Sequence, residues 1–505
     1  MTELLLIGFD GGDPALLQRW MEEGELPNLK KIAEKGFFSP LRSTELPITP
    51  CAWTTFMTGK NPGKHGVFDF TRITEDRTLD IISFREMDER TFFEITDLNT
   101  VTLNVPATYP PRELENGFMV SGMMTPSIKK SCTEDRIVRK LKDLDYQIEI
   151  ENTFQGDNEE SLVKGLEDLV DKRKKTSKML LEEEEPGVFM VTFVAGDRAS
   201  HWFWKHMEEE HPDHEESEYR DTIKKFYREI DSAVGELIEE AGEETNIVVL
   251  SDHGFTGLEG SININNLLLD EGYLKLKERF STKIRKLLFD IGLTMENVYS
   301  VINFLNMGGA VKKVADSPDT GWLMKILSWP FLGLEDVDWE RTDAFSALHF
   351  GPVFLTCEDE RKEELKKEIA GKLESIEKDG EKIIDALEFK EDVFSGKRLS
   401  EAPDIIYRTR GMKYQSHRYF EFASNKLFSR THNTESGHHR MDGILLGRGP
   451  NIKDFSSEEQ PGLEDIAPTL LRLLGEEVPE DMDGEPLDVV KSPVERHRET
   501  EGVDI

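Results

Sequence analysis

Three short apolar runs in this chain each end at residues able to do chemistry. Asp10 follows Leu4–Phe9. Asp197, with His201 four residues on, follows Val188–Val194, and Asp252-His253 follows Asn246–Leu250. A histidine pair, His438-His439, stands shortly before a fourth run, Ile444–Leu446. If the runs are parallel strands, three carboxylates and two imidazoles meet at the carboxyl edge of one sheet. That edge is where open α/β sheets bind ligands. The histidine pair could supply a further imidazole. Carboxylates grouped without partners repel one another and are costly to bury, and divalent cations resolve both problems. Asp197 and His201 share a face if their segment is helical. Mixed Asp/His ligation suits Zn²⁺, with Mn²⁺ as the second choice. Each piece alone has a plainer reading. Asp10 could cap the helix that opens after Gly11-Gly12-Asp13-Pro14. Asp197 and His201 could be a loop acid and a helix-face histidine, and Asp252-His253-Gly254 a strand-end turn. The joint pattern is harder to attribute to chance.

Strands and helices must alternate to position these groups. The segment Pro14–Gly36 reads as helix, turn, helix, with Leu16, Leu17 and Trp20 on one face and Leu29 and Ile32 on the next. Glu159–Glu184 has the pattern of a long charged amphipathic helix. Glu216–Gly242 is another, with Ile223, Phe226, Ile230, Val234 and Ile238 at helical spacing. This rhythm predicts a mostly parallel sheet covered on both faces. It breaks in the middle of the chain. Leu274–Phe331 is rich in Lys, Leu, Phe and Met and reads as a helical insertion. Its amphipathic helices are expected to pack against the core rather than lie on a membrane. Glu358–Glu391 reads as charged helix and Pro403–Tyr407 as strand. The expected organisation is a core over 1–272 and 432–490, an inserted cap over 273–431, and a polar, disordered tail over 491–505.

The composition narrows the function classes. The chain has 505 residues, with 63 Lys+Arg against 100 Asp+Glu and a formal net charge of −37. Such a charge repels nucleic acid and anionic membranes at long range, so neither is an expected general partner. No run of about 18 apolar residues suggests a membrane-spanning helix. Leu4–Phe9 is too short, and lacks the basic flank, for a targeting segment. Three scattered cysteines, Cys51, Cys132 and Cys357, point to a reducing compartment and a cytoplasmic location. Oligomeric state is not legible.

The segment Pro47–Gly66 carries more specific information. Gly59 lies ten residues after Thr49, and Asn61-Pro62 and His65-Gly66 follow. Towards the end come Asp465–Leu471 and Met482-Asp483-Gly484. With these motifs the chain resembles the alkaline phosphatase superfamily, in particular the type I phosphodiesterase/nucleotide pyrophosphatase branch and its phosphohydrolase or phosphomutase relatives. The resemblance runs from Leu4 to about Leu274 and again from Gly437 to Leu487. It implies an α/β fold, a three-layer sandwich with a mostly parallel central sheet and an inserted α+β cap. It also implies two divalent metal ions. One would be held by Asp197, His201 and His439, since His439-Arg440-Met441-Asp442-Gly443 matches the family's His-Arg-x-x-Gly spacing; His438 is the alternate. The other would be held by Asp10, Asp252, His253 and the hydroxyl of Thr49. The implied reaction is hydrolysis of a small phosphorylated substrate, a phosphodiester or phosphomonoester, through a phosphothreonine at Thr49. A threonine hydroxyl is too weak an acid to attack phosphorus unaided at neutral pH, and a bound cation lowers its pKa. Transfer of the phosphoryl group to a second alcohol, as in a phosphomutase or phosphotransferase, is the alternative. A non-catalytic binding module is a remote third.

Several neighbours complete the reading. Lys60 follows Thr-Gly where sulfatase relatives often carry Arg, so it is a candidate contact to the phosphoryl group; a helix C-terminal lysine is the plain alternative. Cys51 reads as structural, because Cys-x-Pro-x-Arg is absent. Gly59–Lys64 lacks P-loop spacing. His206, His211 and His214 read as solvated despite metal-like spacing, and Asp231 as a helix acid rather than a ligand. Nucleotide pyrophosphatases place an asparagine shortly after His-Gly. Here the run is His65-Gly66-Val67-Phe68-Asp69-Phe70. The missing donor could come from Lys60, a backbone N–H, or the cap, with Ser346–His349 as the cap candidate.

Overall fold

The structure, a computed structural model, describes residues 2–150, 158–298, 329–416, 422–430, 435–455 and 459–492. The chain divides into two compact units. The first comprises Met1–Gly257, Val393–Ala402 and Ser436–Ile505; the second comprises Leu258–Asp392 and Pro403–Glu435.

The first unit is built on a seven-stranded sheet. Its order is Phe37–Arg42, Asp442–Arg448, Asn246–Leu250, Leu4–Phe9, Val188–Phe193, Thr100–Val105, Gly117–Ser121. The five strands from Asn246–Leu250 onward are parallel. Asp442–Arg448 runs antiparallel to both of its neighbours. Strand alternation divides the apolar side chains between two cores. Leu5, Ile7 and Phe9 pack with Leu17, Trp20, Leu166, Phe203 and Ile230 from the helices Pro14–Glu22, Glu159–Glu184, Ala195–Met207 and Thr222–Ala241. Leu4 and Leu6 pack on the other face with Trp53, Phe56, Leu470 and Leu471 from the helices Thr49–Thr58 and Ile466–Leu474. The result is the three-layer α/β sandwich with a mostly parallel sheet that the sequence implied. Gly8 lets the helix Thr49–Thr58 sit close to the sheet: a Cβ there would stand 2.6 Å from the Trp53 ring.

The strands missed by pattern reading have identifiable disguises. Phe37–Arg42 contains Pro40, which only an edge strand tolerates, and this strand lies at the sheet's edge. Thr100–Val105 is buried throughout although it carries two threonines and an asparagine.

The second unit holds a four-stranded antiparallel sheet in the order Ala344–Ser346, Val353–Leu355, Ile405–Thr409, Ile384–Phe389. The helix Asp359–Glu374 buries Leu365, Ile369 and Leu373. The expected helix Glu358–Glu391 therefore stops about halfway. Asp379 (φ 54°) and Gly380 (φ 81°) instead form the turn of a hairpin between Glu377–Lys378 and Glu381–Lys382. Asp-Gly is the dipeptide such two-residue turns favour. Of the expected insertion Leu274–Phe331, residues 299–328 lie outside the described residues. The described helix Phe280–Asp290 buries Thr282 and Phe289. Its opposite stripe departs from the packing expected of it, because Phe280, Leu287 and Ile291 are 80%, 62% and 72% exposed. Ser346 is buried and its hydroxyl donates to the Gly351 carbonyl at 2.7 Å. Of the tail 491–505, residues 493–505 lie outside the described residues. No described helix is long and apolar enough to cross a membrane.

Candidate active site

The site forms at the carboxyl ends of the central strands. Asp10 leaves the strand Leu4–Phe9 and is buried, with neither carboxylate oxygen hydrogen-bonded. It does not cap the following helix. Asp13 does, accepting the Ala15 and Leu16 N–H groups at 3.0 Å. Asp197 sits in the first turn of the helix Ala195–Met207, and one turn later His201 shares its face, with Nε2 3.5 Å from Asp197 Oδ1. Asp252 and His253 follow the strand Asn246–Leu250. His439 arrives on a short strand, Gly437–Arg440, paired antiparallel with Gly254–Gly257. This pairing stacks the His439 ring on His253, centroids 3.5 Å apart. His439 Nε2 lies 3.4 Å from Asp197 Oδ1 and 3.0 Å from His201 Nε2. Of the two adjacent histidines, His439 thus belongs to the cluster, as alternation along a strand directs neighbouring side chains to opposite faces.

The protonation pattern is set by the backbone. His201 Nδ1 faces the Gly437 carbonyl at 3.0 Å, His439 Nδ1 that of Pro47 at 2.9 Å, and His253 Nδ1 that of Gly254 at 3.2 Å. Each Nδ1 therefore carries the proton and donates it. Each Nε2 is then the ring nitrogen turned to the cluster, the usual arrangement behind metal-binding imidazoles. The Nε2 atoms of His201 and His439 lie 3.0 Å apart.

The carboxylates tell the same story. Burial raises the Asp10 carboxyl well above its usual range, and the charges of Asp252 and Asp197 raise it further. Asp252 is raised by burial and then by Asp197. For Asp197, burial is outweighed by His201, Arg198 and His439, which together hold it well below the usual range. Burial, followed by His439, lowers His253. Asp10 Oδ1 and Oδ2, Asp197 Oδ1 and Asp252 Oδ2 are all buried without a hydrogen bond. Two groups of ligand atoms are compact enough for a single ion each: Asp197, His201 and His439, and Asp10, Asp197 and His253, with all atoms within 4.8 Å. Asp252 flanks the second group, its Oδ2 3.2 Å from His253 Nε2 while its Oδ1 accepts the Gly11 N–H at 3.3 Å. Buried carboxylate oxygens without a hydrogen bond, grouped with imidazole nitrogens, are a set that fits divalent cations.

Thr49 is the first residue of the helix Thr49–Thr58 and is buried. Its Oγ1 lies 3.5 Å from His253 Nε2. Gly59 ends the helix in the left-handed conformation (φ 64°), and its N–H donates to the Thr55 carbonyl at 2.8 Å.

Lys60 is not brought to this cluster. A helix rises about 1.5 Å per residue, so Lys60 lies roughly 15 Å beyond Thr49. Its ammonium pairs with Glu89 at 2.5 Å and with Asp481. His206 and His211 are buried rather than solvated. His206 Nδ1 lies 3.1 Å from the Glu215 carbonyl, and His211 Nε2 lies 3.0 Å from the Ser436 carbonyl. His214 is exposed. Asp231 is buried and caps a different helix, Pro27–Lys35, through the Asn28 and Leu29 N–H groups at 3.2 and 2.8 Å. Cys51 is buried, and burial pushes its thiol up to about 12. Two residues that pattern reading did not single out border the cluster. Arg198 pairs with Asp197 and, at 2.7 Å, with Glu149. Arg198 carries a local signal, its adjacency to Asp197; Glu149 carries none.

Comparison with known proteins agrees with this geometry. The profile of the type I phosphodiesterase / nucleotide pyrophosphatase family matches residues 4–316. The fold and site define a hydrolase of the alkaline phosphatase superfamily, a metal-dependent group of phosphoric ester hydrolases. Within it, the chain belongs to the type I phosphodiesterase/nucleotide pyrophosphatase family. Solved structures of similar fold include phosphonoacetate hydrolase from Sinorhizobium meliloti 1021 in complex with phosphonoformate. It is 13% identical, with a TM-score of 0.54, over 92% of this chain and 94% of that one. Human ectonucleotide pyrophosphatase / phosphodiesterase 5 is 14% identical, with a TM-score of 0.52, over 97% of this chain and all of that one. No curated protein matches significantly by sequence.

Proposed function

We propose that this protein hydrolyses a phosphate ester through a covalent phosphothreonine at Thr49, with two divalent cations, Zn²⁺ or Mn²⁺, held by the Asp/His cluster. The carrying observation is the position of Thr49 Oγ1, 3.5 Å from a His253 Nε2 that itself lies 3.2 Å from Asp252 Oδ2 and 3.8 Å from Asp10 Oδ1, two buried oxygens without a hydrogen bond. Asp197, His201 and His439 would hold one cation; Asp10, Asp252, His253 and Thr49 would surround the other. Bound there, the cations would supply Lewis-acid stabilisation of anionic oxygens and lower the pKa of a neighbouring hydroxyl.

The chain's own groups account for the rest. His253 Nε2 faces the hydroxyl with a lone pair, because the ring's proton is engaged on Nδ1 by the Gly254 carbonyl. Thr49 opens its helix, and no acid stands in the first turn. The positive end of the helix dipole therefore faces the incoming phosphoryl group. Attack forms the Oγ1–P bond and breaks the bond from phosphorus to the leaving oxygen. Water then cleaves the Oγ1–P bond, releasing phosphate or a monoester and restoring the hydroxyl.

The test is an assay on aryl phosphate mono- and diesters after chelation and metal restoration. Thr49→Ala, Asp252→Asn and His201→Ala are each expected to lose at least about 100-fold in kcat/KM. Full activity in Thr49→Ala would remove the nucleophile assignment. Appearance of a phosphorylated acceptor alcohol in place of free phosphate would convert the reading to phosphoryl transfer.

A further inference from the structure

We propose that the helix Phe280–Asp290 docks the protein on a membrane surface that carries anionic lipid headgroups, lying in the interface with its outward apolar stripe among the acyl chains. The inference is independent of the catalytic reading above. Phe280, Ile284, Leu287 and Ile291 are spaced i, i+4, i+7 and i+11, so they line one stripe of the helix. Ile284 is half-buried, whereas Phe280, Leu287 and Ile291 keep most of their surface in water. Contiguous exposed apolar surface marks an interaction site. The opposite face is anchored within the second unit. Thr282 Oγ1 donates to Asp336 Oδ1 at 2.6 Å, and Arg285 Nη1 donates to Asp336 Oδ2 at 2.9 Å. The Phe289 ring meets Phe422 edge-on, with centroids 5.9 Å apart. These contacts fix which side of the helix faces out.

The charge around the stripe selects the partner. Between Lys275 and Ile291 stand six cations, Lys275, Lys277, Arg279, Lys283, Arg285 and Lys286, against the acids Glu278 and Asp290. Adding Glu335 and Asp336, which pair with Arg285, leaves six against four. This is a cationic surround in a chain whose net charge is −37. Arg279 and Lys283 are exposed; the first precedes Phe280 directly and the second lies one turn before Leu287. Long basic side chains lay their stems along apolar surface and carry their charge to the headgroup level. Trp329 is 47% exposed, with its ring 5.8 Å from the Arg285 guanidinium, and tryptophan favours the membrane–water interface. An apolar stripe bordered by Lys and Arg is the pattern of a helix that lies on a membrane rather than crossing it. The overall charge does not oppose this at contact. Its field is screened beyond about 8 Å at physiological ionic strength, so the cations nearest the lipid decide. A second copy of this chain is the poorer occupant, because a twofold contact sets the same cations against each other.

The experiment is co-sedimentation of the full chain with vesicles of phosphatidylcholine alone and of phosphatidylcholine mixed equally with phosphatidylserine, at low and high salt. Wild type is expected to bind the mixed vesicles, to bind phosphatidylcholine far more weakly, and to be released as salt rises. Combining Phe280→Ser, Leu287→Ser and Ile291→Ser should weaken binding to the mixed vesicles at least about tenfold, because the inserted apolar surface is gone. Combining Arg279→Gln with Lys283→Gln should weaken it about 5–25-fold, roughly fivefold for each cation near the surface. All five positions are exposed, so both variants should keep the wild-type melting temperature. Wild type that ignores the mixed vesicles, or a triple variant that binds them as wild type does, would overturn the proposal. Equal binding to both kinds of vesicle would overturn the anionic specificity on which it rests. An oligomeric wild type that becomes monomeric in the triple variant would assign the stripe to a second copy and overturn docking on lipid.

Discussion

Asp10→Asn is expected to stabilise the chelated protein and to weaken its response to metal. The reasoning starts from the two Asp10 oxygens, buried without a hydrogen bond near Asp197 and Asp252. An amide of nearly the same shape loses no bond there and removes one buried like charge. Leaving a buried charge uncompensated costs several kcal/mol, so the chelated variant should gain about 2–4 kcal/mol where Asp10 is ionised. The pH dependence follows from the direction of the shift. Asp10 is raised in the folded state, so between the unfolded and folded pKa values the folded chain binds the extra proton. Wild-type stability therefore falls as pH rises through that interval, and the asparagine variant lacks the fall. The advantage of the variant should be near zero at pH 4, grow with pH, and level off above the folded pKa. The first unit spans roughly 340 residues. At about 2 cal/mol/K of unfolding entropy per residue, the gain corresponds to about 3–6 °C in melting temperature. Differential scanning calorimetry in chelator at pH 5, 6, 7 and 8 measures it. Adding Zn²⁺ or Mn²⁺ should then stabilise wild type more than the variant, reversing their order, because cation binding adds stability in proportion to affinity. A variant less stable than wild type in chelator at every pH, or one with the full metal response, would refute the reasoning.

Three further predictions test neighbouring assignments. Lys60→Met should leave kcat within about threefold but cost about 1 kcal/mol of stability, since it removes one of the two ammonium partners of the mostly buried Glu89 carboxylate and leaves Lys397 at 3.0 Å; a large fall in kcat with an intact fold would return Lys60 to the phosphoryl group. Asp231→Ala should cost about 1–3 kcal/mol through the lost cap on the helix Pro27–Lys35, with metal stoichiometry unchanged, as equilibrium denaturation and metal analysis would show. His65, held neutral by burial with its pKa lowered to about 3, should make the fold acid-sensitive. Below about 6.5 the unfolded chain takes up a proton that the folded chain refuses, so stability falls as pH drops from 6.5 towards 3. Between pH 7 and 4.5 His65→Gln should escape about 2–3 kcal/mol of that loss, and a pH-independent difference from wild type would contradict it.

Much of the site was legible because its residues stand at strand ends, where a short apolar run followed by Asp or His is visible in one dimension. Asp10, Asp197, His201, Asp252 and His253 all emerge this way. His439 required the resemblance to single it out, since only the antiparallel pairing of Gly437–Arg440 with Gly254–Gly257 lays it on His253. The histidines His206 and His211 were misread because an acidic neighbourhood resembles a solvated one. Their burial depends on carbonyls at Glu215 and Ser436 that fold back over them. Lys60 was drawn to the site by motif spacing, but a straight helix carries it away from Thr49. In the second unit the helical reading of Glu358–Glu391 failed because charge content masked the Asp379-Gly380 turn. Glu149 had no sequence signal at all; its role depends on a contact across 49 positions with Arg198.

The most direct test of the central claim is to trap the covalent intermediate. Metal-loaded protein is mixed with an aryl phosphate ester, quenched in acid within the first turnovers, and mapped by mass spectrometry. The account predicts phosphorylation confined to the peptide carrying Thr49, absent from Thr49→Ala and from chelated wild type. Hydrolysis at full rate by Thr49→Ala, or a phosphoryl group found on another residue, would contradict it.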